Sequence, residues 1–277
     1  MARKTLYDRL DSLDVNIANE YNSLIKLLKI EKKVWNGYRD YTVIEYINKN
    51  YFRNIPTKFR YTYLSVEDMM SGFELKDISN SLDDLFLLSE LCIMLLPYQY
   101  TIQNSDLHDQ STTIHENILC FLEKLNYKLV SIDNERRIIV EKNPATTQAV
   151  ALVDDTTAIS LIEYNHYALK GNLVKKRQIL TSLGAFIEPI LKSRILNNSG
   201  YKQLESDVGF MLNNFHVRHN NKEGAKAQEY IVSLNEAQLE EWYDKLYNAI
   251  LSVIIINEHI PTQNHIATLK TTHKWKA

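Results

Sequence analysis

The sequence predicts a mainly helical protein: an N-terminal helical region, a helix plus β-hairpin insert, and a C-terminal antiparallel helical bundle. Three observations predict it. Apolar residues recur at spacings of three and four over long stretches, as amphipathic helices require. Only Tyr127 to Lys142 alternates as a strand pair does. After Gly171, three long periodic segments follow one another with short connections, which is bundle patterning.

The elements follow in order. From Thr5 to Ile30, Leu6, Leu10, Leu13, Ile17, Tyr21, Leu24 and Leu28 mark one helix face. Tyr38 to Asn48 reads as a second helix. Tyr51 to Tyr63 then interleaves aromatics with Arg53, Lys58 and Arg60. Such a stretch either plugs the core with its rings, the simpler reading, or stacks single-stranded nucleic acid. Ser65 starts a short helix. Leu82 to Leu96 is an apolar helix that Pro97 ends. Gln99 to Gln110 reads as a linker. Thr113-Ile-His-Glu116 reads as a capping box for a helix to about Leu125. The hairpin after it is expected to turn at Asp133-Asn134, and helix plus hairpin together resemble part of a winged helix.

Pro144 opens a helix that runs to Leu169 with a break at Asp154-Asp155, and Gly171 is its C′ residue. The bundle segments are Leu173 to Leu196, kinked at Pro189, then Leu204 to about His219. The last starts with the box Ser233-Leu-Asn-Glu236 and runs to about Glu258. The expected organisation is 1–100 as a sensing or regulatory helical region, 101–143 as linker, helix and hairpin, 144–260 as the bundle, and 261–277 as a polar, frayed tail.

Composition narrows the function. The chain has 277 residues, 45% hydrophobic and 24% charged, with a net charge of -2. That excludes a disordered or disulfide-scaffold chain and gives no global basic signal for nucleic acid. Residues 171–277 carry +3 and the first 170 carry -5, so an anionic partner suits the C-terminal half. Cys92 and Cys120 lie in apolar runs, as buried thiols of a reducing compartment do. No leader or membrane span is apparent, so the expected location is the cytoplasm. Neither Gly-rich phosphate loop, HExxH nor GxSxG occurs, and no cofactor is expected.

Chemistry concentrates in Val208-Gly-Phe-Met-Leu-Asn-Asn-Phe-His-Val-Arg-His-Asn-Asn-Lys-Glu-Gly224. On a continuous helix, Val208, Met211, Leu212 and Phe215 form the buried stripe. His219 then falls within that stripe, Arg218 and His216 flank it, and Asn214 lies one turn before Arg218. Burying such groups unpaired costs about 1–3 kcal/mol each. A polar helix end packed on the following loop is the bland explanation. The functional one is that His219 or His216 moves a proton while Arg218 holds a phosphoryl group. Those roles suffice for metal-free attack of an RNA 2′-hydroxyl on its own phosphodiester. His216 and His219 lack a third metal ligand nearby in sequence. Asp154, Asp155 and Glu163 read as a helix break rather than a cation site.

The run Asn-Asn-x-His-x-Arg-His-Asn-Asn, followed by Leu239-Glu-Glu-Trp-Tyr-Asp244, resembles HEPN-like proteins of bacterial abortive infection. So do Leu169 to Leu180 and Phe186-Ile-Glu-Pro189. The resemblance covers about 145–260. It implies a bundle of four or five helices, a homodimer, and a metal-independent endoribonuclease whose Arg and His act across the dimer interface. What carries over is catalytic Arg218 and His219, with His216 beside them. Asn214, Asn220, Asn221 and Glu188 are the expected substrate-binding or orienting neighbours. The alternative expectation is a non-catalytic helical module that binds protein, nucleotide or RNA in a defence or regulatory system, with a protein partner at the N-terminal region.

Overall fold

The computed structural model describes residues 13–33, 40–95, 106–133 and 136–273. Helices dominate, as the periodicity requires. The chain divides into two compact units, Met1–Glu141 and Lys142–Ala277.

In the first unit, α1 spans Ile17–Lys29, with Asn16 accepting the Asn19 N–H as its N-cap. Its buried face is Tyr21, Leu24, Ile25 and Leu28, the stripe expected from sequence. The helix starts later than expected; residues 1–12 lie outside the described ones. A two-residue antiparallel ladder, β1 (Lys32–Lys33) with β2 (Asp40–Tyr41), precedes α2 (Val43–Asn50). Thr42 and Glu45 close a reciprocal capping box on α2. The aromatic-basic stretch forms a 3-10 turn and the four-residue α3 (Thr57–Arg60). Phe52 and Ile55 are buried there, Tyr51, Phe59 and Tyr63 are half-buried, and Tyr61 is exposed.

Helix α4 (Val66–Gly72) is capped by Ser65, and α5 covers Leu82–Leu95. Pro97 and residues 99–105 of the expected linker are outside the described residues. From Asp106 the chain is helical, and α6 runs Asp106–Lys124. Thr113 therefore sits inside a helix, and its hydroxyl donates to the Asp109 carbonyl instead of capping. Strands β3 (Tyr127–Ser131) and β4 (Arg137–Glu141) form the expected hairpin, with Tyr127 opposite Glu141 and Ser131 opposite Arg137. Asp133 is present at the turn; Asn134 is outside the described residues. The helix and hairpin belong to this first unit: α5 packs on β4, and α6 on β3.

The second unit begins with α7 (Pro144–Val150), Pro144 standing where a missing N–H costs nothing. Asp154 caps α8 (Asp155–Tyr164), so the expected break is a true helix boundary. The chain leaves α8 at Asn165, not at Leu169; Tyr167–Leu169 is a 3-10 turn. Helix α9 (Leu173–Lys192) passes through Pro189 and stops before Arg194, whose φ of 59° is left-handed. After α10 (Ile195–Asn198), α11 spans Lys202–Asn214 and α12 spans Glu229–Ser233. Helix α13 runs Glu236–Thr272, 37 residues, capped by an Asn235–Gln238 box rather than one starting at Ser233. The expected frayed tail is therefore helical as far as Thr272, although almost every side chain beyond Ile260 is exposed.

Helices α8, α9, α11 and α13 enclose one core, built on Leu161, Leu180, Leu183, Leu212, Tyr243 and Ile250 among others. Gly184 lets α9 and α11 approach: a Cβ there would stand 2.7 Å from Leu212 Cδ2. Two polar networks lie within this unit. Tyr247 stacks on Tyr164 at 4.0 Å, and its hydroxyl meets the Leu161 carbonyl, Thr146 and Asn165. Lys176, 8% exposed, bridges Glu240 at 2.8 Å and Asp244 at 2.6 Å.

Candidate functional site: the loop after α11

The helix carrying the candidate residues stops five residues short of its expected end. It closes at Asn214, and Phe215 is the cap. His216 takes a left-handed φ of 59°, a conformation that costs an L residue about 1–2 kcal/mol. The Arg218 N–H then turns back to the Leu212 carbonyl at 3.1 Å. The chain leaves the helical wheel here for a simple reason. Phe215 and Val217 are both buried, at 5% and 2% exposure, and the Arg218 N–H bonds the Leu212 carbonyl instead of that of Asn214, so the helical pattern has ended. His219 accordingly does not lie on a buried helical stripe; it is half-buried on a loop.

Asn221 organises that loop. It is 2% exposed. Its Oδ1 accepts the His216 N–H at 3.0 Å, its Nδ2 donates to the Lys226 carbonyl, and its own carbonyl accepts the Gln228 N–H. Its backbone N–H donates to His216 Nδ1 at 3.2 Å. Expected to touch substrate, Asn221 instead holds the loop's shape. Asn214 donates to Phe210 on its own helix, and Asn220 caps the turn by accepting the Lys222 and Glu223 N–H groups.

The three expected catalytic groups go to three different partners. Arg218 reaches the Gly184 carbonyl and Glu188, both at 3.3 Å. It lines an open crevice of about 460 Å³ with Glu188, Lys192, Arg194 and Gly209, so it is neither buried nor out in bulk solvent. Lys192 at 2.8 Å and then Arg218 hold the Glu188 carboxyl below its usual range. Glu188 thus meets the arginine, as its position on α9 suggested, but no imidazole. His219 Nδ1 is 3.3 Å from Lys226 Nζ.

His216 has the most distinctive surroundings. Its Nε2 lies 3.2 Å from an Arg177 guanidinium nitrogen. Arg177 and Thr181 of α9 also reach the Val217 carbonyl at 3.4 Å, tying the loop to that helix. Tyr243 donates to the His216 carbonyl at 3.4 Å. Arg177 donates toward Nε2 and the Asn221 N–H toward Nδ1, while a neutral imidazole offers one acceptor nitrogen and cannot accept both. Two donors thus compete for one ring acceptor, and an anionic oxygen is the group that satisfies the donor left over. Protonating the ring would turn both nitrogens into donors pointed at donors. Burial first, and then the charges of Arg177 and Lys222, push the His216 pKa below its ordinary 6.5.

Arg177 is the residue that sequence reasoning missed. It stands 39 positions before His216, and no spacing rule links them. Beside the loop, Phe215 packs against Trp242 at 4.5 Å, and Trp242 donates to the Tyr230 hydroxyl, so both rings serve the loop's packing. Asp154 is committed to Thr157, whose hydrogen bonds lower its pKa. Among the described residues, no three His, Cys, Asp or Glu side chains stand together as a metal site, and no helix is long and apolar enough to cross a membrane. Comparison with family models, curated proteins and solved structures gives no match.

Proposed function

We propose that the protein is a metal-independent endoribonuclease of the HEPN-like abortive-infection kind, acting on RNA through the loop after α11. The observation that carries this reading is the Arg177 guanidinium at the His216 ring, 3.2 Å from Nε2, where two donors meet an imidazole with one acceptor nitrogen. A phosphodiester oxygen accepts from the Arg177 guanidinium and gains charge as phosphorus becomes five-coordinate, when such a donor matters most. His219, half-exposed on the same loop, takes the proton of the 2′-hydroxyl. The 2′-oxygen attacks phosphorus, the P–O5′ bond breaks, and water protonates the departing 5′-oxygen. The products are a 2′,3′-cyclic phosphate and a 5′-hydroxyl. Arg218, in its crevice beside Lys192 and Arg194, receives the neighbouring phosphate. In this reading the active form is a homodimer joined through the second unit.

The test is incubation of the full chain with total RNA in EDTA. Cleavage with cyclic-phosphate ends, lost in Arg177→Gln and His219→Ala proteins that retain their unfolding temperature, supports the proposal. Uncut RNA at high enzyme concentration overturns it. One observation favours a second reading, a non-catalytic helical binding module: Arg218, His216 and His219 engage separate partners instead of converging. That reading predicts salt-sensitive RNA affinity without cleavage.

A further inference from the structure

The first unit holds a cavity that the loop chemistry does not use. Its volume is about 290 Å³, at the small end of ligand pockets. Helix α5 supplies most of one wall. That helix is apolar on nearly every side: Leu85, Phe86, Leu88 and Cys92 go into the core, while Leu87 and Met94 remain half-covered and face the cavity. Met69 of α4, Phe59, Phe73 and Ile138 of β4 also line it. Two methionines among these residues give the lining an adaptable shape.

The polar groups are confined to one side. Glu90 Oε1 accepts the Ile139 N–H at 2.8 Å, so this carboxylate is fastened to the strand. Arg136 pairs with Asp133 at 2.8 Å. Arg137, next along β4, lines the same cavity, is exposed, and makes no ion pair among the described residues. An apolar chamber with an uncommitted guanidinium beside it selects one type of small molecule. The body must be hydrocarbon and the head a single anion able to accept two parallel hydrogen bonds. If a methylene takes about the space of a water, ~30 Å³, the chamber holds roughly ten such groups.

We propose that this cavity binds a medium-chain carboxylate, its chain among Leu87, Met69 and Met94 and its carboxylate on Arg137. The proposal is independent of the RNA chemistry of the second unit.

Sodium decanoate, below its micelle threshold, is the probe, and 1-decanol is the uncharged control. Both are titrated into the full chain carrying ¹³C-methyl methionine. The expected result is saturable one-to-one binding of decanoate that shifts the Met69 and Met94 methyl signals and leaves Met211 unmoved. In Arg137→Gln, whose exposed position puts folding at no risk, decanoate weakens by about tenfold or more, as loss of a charged hydrogen bond implies, and decanol is unchanged. Met94→Trp, which fills the chamber from a half-exposed site, abolishes both. Failure of decanoate to saturate, shifts at Met211 equal to those at Met69, or equal weakening of acid and alcohol by Arg137→Gln would each overturn the proposal.

Discussion

Replacing Lys176 with methionine tests how the second unit is held together. The amine lies 2.8 Å from Glu240, 2.6 Å from Asp244 and 5.2 Å from the centre of the Tyr164 ring. Methionine keeps the stem and removes the charge. Two carboxylates one turn apart on α13 then face each other without their cation. Removing one partner of a fully buried pair costs about 3–5 kcal/mol. Here Glu240 is 18% exposed but Asp244 is 47% exposed, so water recovers part of the loss. The Tyr164 hydroxyl also still donates to Asp244, and the Gly171 N–H to Glu240. The expected cost is therefore about 2–3 kcal/mol, or a melting temperature lower by about 6–12 °C for a unit of this size. Burial pushes the Glu240 carboxyl up, but hydrogen bonds from Lys176 and Gly171 and the nearby lysines outweigh it, and its pKa is lowered. A carboxyl that titrates lower when folded stabilises the fold above its unfolded pKa and loses that effect as pH falls through the folded value. The gap between wild type and variant should thus narrow below about pH 4. Calorimetry across pH 3 to 7 measures it, with Lys176→Met/Glu240→Gln/Asp244→Asn expected to regain most of the loss. A variant as stable as wild type at pH 7, or a gap constant down to pH 3, refutes the reasoning.

Tyr247→Phe leaves Thr146 and Asn165 without their shared hydroxyl in a buried site and should cost about 1–2 kcal/mol in urea unfolding, with the ring stack on Tyr164 intact. Asn221→Ala orphans the His216 N–H and frees the Lys226 carbonyl; hydrogen exchange at Arg218 should accelerate while the α9 core stays protected. His216 should titrate below 6.5 by NMR. Since its folded pKa is the lower one, acidification through the unfolded value, near 6.5, begins to destabilise the loop, and RNA cleavage should decline on that acidic side.

Much of the fold was legible because local chemistry decided it. Leu82–Leu95 is too apolar and too long for a strand, and Tyr127 to Glu141 alternates around a turn. Pro144 and Asp154 carry their own helix-start signals. Misreadings arose where tertiary contacts overrode local signals. Thr113-Ile-His-Glu116 has the form of a capping box, yet the helix had already begun at Asp106. The loop at His216 has helical periodicity as far as Phe215; the burial of Val217 and the four ties to Asn221 redirect the chain. Glu188 was expected beside the Arg–His cluster with an imidazole as its partner; Arg218 lies on the loop, and the guanidinium is what Glu188 meets. The meeting of Arg177 with His216 was not foreseeable, since it depends on how the loop folds back over α9.

The far end of α13 has a thermodynamic consequence. From Pro261 to Thr272 the chain is helical with scarcely a buried side chain. A free peptide of about twelve such residues would be mostly coil in water, because initiating a turn is the costly step. Here initiation is already done by the packed turns ending at Ile260, which is 1% exposed, and each further residue only extends them. Pro261 donates no hydrogen bond to the turn before it, so the junction is the weak point. This segment should unwind stepwise from its tip at temperatures where the bundle is intact, giving amide protection that declines residue by residue instead of one shared melting event.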